Sequence, residues 1–214
     1  MGRLLDPQKI EDKSFEIIES LLPTDLKLTQ EERQVLRRVI HATTELGYAK
    51  ELIFHPQAVE SGLRAIRQGK DVICDVDMVR VGINNKILSG FGGKVICLIN
   101  DDEVVKEARQ LKIARAIVAM RRAVKLINGA IVSIGNAPTA LFELCELVRK
   151  GKVKPSLIIG VPVGFVGAQE AKKELLSIGI PYVTNSSTKG GSSVAAAITN
   201  AMLKLAEGGD QKGN

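Results

Sequence analysis

The amino-acid sequence predicts an α/β protein: a three-layer sandwich with a mainly parallel five-stranded sheet between two layers of helices, plus extra helices at the N-terminus. Two observations predict it. Five short apolar runs recur, Val72–Asp75, Val95–Ile99, Ala130–Ile134, Leu157–Val161 and Tyr182–Thr184. None alternates cleanly, as expected of parallel strands buried on both faces. Helical patterns separate them, at Val76–Val81, Asp102–Lys112 continuing as Ala114–Lys125, Ala137–Lys150 and Ala168–Ile178, with a last helix at Ser192–Leu205. Strands alternating with helices build right-handed βαβ units, and five of them fit a doubly wound, flavodoxin-like sheet.

The N-terminal elements follow from local signals. Asp6 caps a helix from Pro7 to Leu22, and Pro7 takes a first-turn position where its missing N–H is harmless. Ile10, Ser14, Ile17 and Leu21 share one face, and Pro23 ends the helix. Ser14 interrupts that stripe, and its hydroxyl is expected to bond back to its own helix. Thr29 and Glu32 form a capping box for a second helix, carrying Val35, Val39 and Ala42 on one stripe and broken at Gly47. Leu52–Phe54 reads as a short strand or a loop. His55-Pro56 opens a helix to Gln68, closed by Gly69, and His55 is read as structural there. Residues 1–207 carry no linker or composition break and read as one domain; the polar, glycine-rich 208–214 read as a frayed tail.

Composition narrows the function classes. Hydrophobic residues at 45% and charged residues at 25% are ordinary for a globular protein. The longest apolar runs are too short to span a bilayer, and Asp6, Lys9, Glu11 and Asp12 interrupt any leader-like stretch, so the expected location is cytoplasmic and no membrane partner is expected. A net charge of +6 favours acidic partners. Only 3% aromatics, no tryptophan and scattered basic residues argue against nucleic acid, leaving a small polyanion as the better fit. Cys74, Cys97 and Cys145 are odd in number, form no CxxC and lie in strand-like or helical apolar stripes, so they read as buried reduced thiols. The two histidines lie far from them in sequence, and no metal-ligand spacing is visible.

The candidate chemistry centres on Arg37-Arg38-Val39-Ile40-His41-Ala42-Thr43. His41 can exchange a proton near neutral pH, and two arginines precede it within one turn. A proton donor beside fixed positive charge suits an anionic substrate. On spacing alone, a lone histidine on a helix is better read as structural. Three glycine-rich loops should fall at the carboxyl ends of the strands, where ligands bind in such folds. They are Gly135–Leu141, with Asn136 as expected N-cap, Gly160–Ala168, and Thr188–Ser193. Each reads alone as a strand-to-helix turn; together they suggest an anion-binding rim assisted by Lys189. No phosphate-loop or dinucleotide fingerprint is present.

Several segments together resemble the precorrin-8X methylmutases of cobalamin biosynthesis. They are DP at 6–7, SF at 14–15, RVIHAT at 38–43, FHPQAVESG at 54–62, CDVDMVRVGI at 74–83, GNAPTAL at 135–141, GVPVGFVGAQEAK at 160–172 and KGGSS at 189–193. The likeness runs from about Asp6 to Leu205. It implies an isomerase that shifts a methyl group between adjacent carbons of ring C of a late tetrapyrrole, precorrin-8X or cobalt-precorrin-8, giving hydrogenobyrinate or cobyrinate. It implies no cofactor, any cobalt arriving inside the substrate, and a homodimer binding an anionic tetrapyrrole at the subunit interface. His41 matches the family's proton donor. Ser14, Arg38, Asn84, Arg121, Lys189, Gly190 and Gly191 match substrate-contact positions. The family's TRSAA reads Met120-Arg121-Arg122-Ala123-Val124 here, so either Arg121 or Arg122 is available for the carboxylate contact. Thr188 replaces an arginine, Asn84 a threonine and Ala171 a serine. Two other readings compete: a non-catalytic tetrapyrrole carrier, and a phosphate-binding regulator using Asp75 and Asp77 at a strand end.

Overall fold

The computed structural model describes residues 6–209. Helix α1 (Pro7–Leu21) starts on Asp6, whose carboxylate accepts the Gln8 amide at 3.0 Å. Helix α2 (Gln30–Thr43) starts on a complete capping box: the Glu32 amide donates to Thr29 Oγ1 at 3.2 Å, and the Thr29 amide to Glu32 Oε2 at 2.9 Å. It ends earlier than expected, on Thr44 in the left-handed conformation (φ 55°). Gly47 instead opens the short helix α3 (Tyr48–Glu51). There follow β1 (Leu52–Phe54), α4 (Ala58–Arg67), β2 (Val72–Cys74), α5 (Asp77–Gly82), α6 (Asn85–Gly90), β3 (Val95–Cys97), α7 (Asp102–Leu111), α8 (Arg115–Arg122), α9 (Val124–Ile127), β4 (Ile131–Ile134), α10 (Pro138–Arg149), β5 (Leu157–Gly160), α11 (Ala168–Leu175), β6 (Tyr182–Asn185) and α12 (Ser192–Gly209).

The sheet has six strands in the order β1-β6-β5-β4-β2-β3. Five are parallel, with Val72 opposite Ile131 on one side and Val95 on the other, and Ile159 opposite Val183. The sixth, β1, runs antiparallel against β6, Ile53 facing Thr184. It resolves the strand-or-loop ambiguity at Leu52–Phe54 and corrects the count of five. Along the parallel strands, winding reverses between β2 and β4, as in doubly wound sheets.

Side chains alternate between two packed layers, as the pleat requires. Val72, Cys74, Ile131, Leu157 and Ile159 face α2, α4, α5 and α12. Ile73, Val132, Ile134 and Ile158 face α7, α8, α10 and α11. Each is at most 1% exposed, which explains the unbroken apolar runs in the sequence. Burial of each such side chain contributes roughly 1.5–3 kcal/mol.

Three further differences have local causes. The expected helix over 102–125 is three helices, because Lys112 turns left-handed (φ 54°) and the chain breaks again at Ala123. Helix α6 had no expected counterpart; it is short, and Asn84 caps it by accepting the Ile87 amide at 3.2 Å. Helix α12 continues past Leu205 to Gly209; the rest of the expected tail, 210–214, lies outside the described residues. Among the described residues, no helix is long and apolar enough to cross a membrane.

Candidate functional site

Helix α1 packs across α2 and leaves a cleft of about 440 Å³ between them. Its walls are mainly apolar, with Ile17, Leu21, Ile40 and Leu46 among them, and Ser14, His41 and Thr44 are the polar members. Only Ile18 of α1 is buried; Ile17 and Leu21 stay 52% and 56% exposed, so this apolar face is open. Ser14 Oγ donates to the Ile10 carbonyl at 2.7 Å, the expected back-bond, and retains acceptor capacity toward the cleft.

His41 is exposed, in the last turn of α2. Its ring lies 5.3 Å from that of Phe15 on α1, tilted by 50°. The guanidinium carbons of Arg37 and Arg38 lie 5.2 and 4.8 Å from the same ring's centre. Arg38 is ion-paired with Glu11, which Lys204 of α12 approaches at 3.5 Å. Desolvation raises the Glu11 carboxyl, but its bonds to Arg38 and Lys204 outweigh that and hold it below the usual range. The sequence thus brings Ser14, Arg38 and His41 together. It gave no role to Phe15, although the SF dipeptide on a helix facing the arginines was visible.

The three glycine loops differ from one another. At Gly135–Leu141 the anion seat is filled by the chain itself. Asp75, wholly buried at the end of β2, accepts the amides of Gly135, Asn136 and Ala137 at 3.1, 2.8 and 2.7 Å. The cap residue of α10 is therefore Ala137, and Asn136 contributes its amide rather than its side chain. Burial pushes the Asp75 carboxyl up, while the three amides pull it back. Asp77 is tied to Arg80 at 2.6 Å and Asn100 at 2.6 Å. A phosphoacceptor role for this acidic pair has no structural basis.

The second loop, Gly160–Ala168, presents apolar side chains: Phe165 is 97% and Val166 89% exposed. It is laced to the third loop by Gly191 N–H to Val161 O at 2.9 Å and Gly164 N–H to Thr188 O at 3.1 Å. Gly190 and Gly191 have φ of 145° and 121°, and a Cβ at Gly190 would collide with the Val161 carbonyl oxygen. Glycine is required there for the turn and for close approach. Lys189 is not a free cation. Its Nζ lies 3.2 Å from Glu51 and 3.4 Å from Glu45, which hold its ammonium above the ordinary lysine value. Glu45 belongs to the turn that also carries Leu46, so this loop adjoins the His41 cleft.

Lys172 was missed as a site residue, beyond being part of a matching motif. It is 2% exposed, and its Nζ donates to the carbonyls of Ser187 at 2.7 Å and Lys189 at 2.5 Å. Burial pushes it down to about 8. A lysine on the stripe of Ala168, Ala171 and Leu175 was the available signal. Asn185 donates its side-chain amide to the Lys189 carbonyl at 2.9 Å.

Arg121 and Asn84 lie apart from His41. Arg121 pairs bidentately with Glu143 at 2.9 and 3.0 Å, and Arg122 pairs with Glu107 at 2.7 Å. Both arginines sit on α8, in the layer on the other side of the sheet from α2. Asn84 caps α6, and its amide donates to Asn200 Oδ1 at 2.8 Å. His55 Nδ1 accepts the Gln57 amide at 3.1 Å, the structural role expected of it. Cys74 and Cys145 are buried and Cys97 half-buried; burial raises all three thiols, away from nucleophilic use. Among the described residues, no three His, Cys, Asp or Glu side chains gather as metal ligands.

Fold and site together define a doubly wound α/β protein whose strand-end anion seat is self-filled. Its open cleft pairs an apolar floor with one exposed imidazole, and two arginines stand beside it. A profile of the precorrin-8X methylmutases matches residues 9–205. The cobalt-precorrin-8 methylmutase of Priestia megaterium is 46% identical over 96% of this chain and 91% of its own length. The precorrin-8X methylmutase of Pseudomonas aeruginosa is 39% identical over 92% of this chain and 95% of its own. The crystal structure of the precorrin-8X methylmutase from Thermus thermophilus superposes with a TM-score of 0.88 at 38% identity, covering 94% of this chain and 97% of that one. The chain belongs to the precorrin-8X methylmutase family, isomerases of cobalamin biosynthesis.

Proposed function

We propose that this protein shifts a methyl group between adjacent carbons of ring C of precorrin-8X or cobalt-precorrin-8, giving hydrogenobyrinate or cobyrinate, with His41 as proton donor. The observation that carries the reading is an exposed imidazole in an apolar-walled cleft with Arg37 and Arg38 one turn away. The apolar walls suit the methyl-bearing edge of a tetrapyrrole, and the arginines suit its carboxylates. An isomerisation conserves every atom. The proton that His41 gives to ring C to promote migration must therefore leave again, which restores the imidazolium. The rearrangement is internal to the substrate and needs no added cofactor; cobalt, when present, belongs to the substrate.

Binding at a homodimer interface fits the distribution of the matched residues. Arg121 and His41 occupy opposite layers of one chain, so a ligand that meets both gathers them from two copies. Ile10, Ile17, Leu21 and Leu46 form an exposed apolar face beside the cleft that a second copy would cover. Relatives at 46% and 42% identity bear the cobalt-precorrin-8 name, which makes the cobalt form the first substrate to try.

The test is an absorbance assay of the purified protein with each substrate in turn. Conversion to the corrin spectrum supports the proposal and identifies the form used. A binding spectrum without conversion would make the protein a carrier, and no binding to either would overturn the reading.

A further inference from the structure

We propose that Phe15 is a positioning residue for the reaction: its ring is the abutment that aims the His41 imidazole into the cleft. The inference rests on the reading of His41 as proton donor. Three side chains of α2, at positions 37, 38 and 41, converge on this one ring from α1. Arg37 and Arg38 sit at 5.2 and 4.8 Å from its centre, and the His41 ring at 5.3 Å. The two guanidiniums and a protonated imidazole would repel one another if left to crowd a single helical turn. The negative face of an aromatic ring attracts the guanidiniums, and the tilted imidazole packs on the same ring, so Phe15 lets them share one turn of helix.

The anchoring of the three side chains is unequal. Arg38 has an ion pair with Glu11, and Arg37 lies 3.7 Å from Glu19. Both arginines therefore have carboxylates to fix them besides the ring. His41 sits at the exposed end of the cluster, beside the cleft, and its ring packs on Phe15. Loss of the Phe15 ring should thus release the imidazole more than the arginines. A general acid misaimed by about 1 Å loses up to about a hundredfold in rate, while ligand binding carried by other groups persists. Phe15 is also half-buried against the core, so packing alone could account for its presence.

The experiment separates the two roles. Phe15→Leu keeps an apolar side chain, and Phe15→Tyr keeps the ring. Turnover of precorrin-8X or its cobalt form is measured for both, with His41→Ala alongside, and the imidazole C–H proton resonances of His41 are recorded, which the ring current of Phe15 displaces. The expected result for Phe15→Leu is a fall in kcat of at least about tenfold, with KM changed less than about twofold and the His41 resonances moved. Phe15→Tyr should restore both kcat and resonance positions. Unmoved resonances in Phe15→Leu, a fall in KM-governed binding instead of kcat, or failure of Phe15→Tyr to rescue would each overturn the proposal. Full turnover by His41→Ala would overturn the proton-donor reading and this proposal with it. With His41→Ala inactive, full turnover by Phe15→Leu would overturn this proposal alone.

Discussion

Two places in this molecule have the means to hold an anion, and they treat it in opposite ways. At the switch point between β2 and β4, three amides at the start of α10 converge on one spot, and the buried Asp75 carboxylate already occupies it. Beside the α1/α2 cleft, positive charge comes from Arg37 and Arg38 on α2, each held by an acidic side chain of α1, and the cleft itself is open. A backbone seat is rigid and suits a compact anion such as phosphate. Arginines on a helix face are spaced widely and adapt to carboxylates spread around a large ring. Filling the first seat internally closes it to a small anion, whereas the arginines keep their carboxylate partners at the protein surface, where a ligand carboxylate could replace them.

The sharpest way to break this contrast is to remove the proposed proton donor from the open site. His41→Ala is expected to lower turnover by about 10²–10⁴, the usual contribution of a general acid, with product affinity within about twofold of wild type. Absorbance-monitored turnover and equilibrium titration with product check it; substantial residual turnover would take His41 out of its role. The sealed site should respond in stability instead. Asp75→Ala strands three buried amides and is expected to cost about 3 kcal/mol, whereas Asp75→Asn, which still offers a carbonyl oxygen, should cost clearly less. Urea unfolding measures both, and a loss under about 0.5 kcal/mol for Asp75→Ala would mean that the seat is not structural.

The two sites also differ in how far the sequence revealed them. The parallel strands were legible because burial on both faces leaves continuous apolar runs such as Leu157–Ile159. The edge strand β1 was ambiguous because it is only Leu52–Phe54, and its partner β6 lies far along the chain. Ser14, Arg38 and His41 were legible as motif positions; helix geometry places Arg38 and His41 one turn apart, and the packing of α1 on α2 adds Ser14. The glycine loop at 135–141 was read as an anion cradle for a ligand, since a turn of that composition looks the same whatever fills it. Only the tertiary fold brings Asp75 onto those amides. Lys189 was read as available charge for the same reason: Glu45 and Glu51, which neutralise it, come from the other end of the chain.

A smaller effect tests whether the cleft's charge is used for the ligand. Arg38→Gln removes the cation and keeps hydrogen-bonding capacity. A charge-assisted bond to a carboxylate contributes about 1.5–3 kcal/mol, so product affinity should fall about tenfold or more, with the melting temperature little changed. The Glu11 pair must be exchanged for the ligand, which sets the lower end of that range as the expectation. Unchanged affinity would mean that Arg38 serves only to dock α1 on α2.

The last effect, a gradual slope with pH, sharpens the boundary between the two regions, at the Lys172 bridge beneath the Lys189 loop. Burial lowers this lysine from the ordinary 10.5 to about 8 in the folded protein. Between those values the unfolded chain binds a proton that the folded chain does not, so stability contributed through Lys172 rises as pH increases from about 8 towards 10.5. Below about 8 both states are protonated, and the desolvation of the ammonium weighs on the fold in full. A neutral amine still has two N–H donors, one each for the carbonyls of Ser187 and Lys189, so deprotonation need not release the loop. The rise should amount to about 1.4 kcal/mol per pH unit at most. It is measured as the difference in urea-unfolding free energy between wild type and Lys172→Met at pH 7, 8, 9 and 10. A difference that stays flat across the series would show that Lys172 keeps its ordinary titration despite its burial, and that solvent reaches it under the loop.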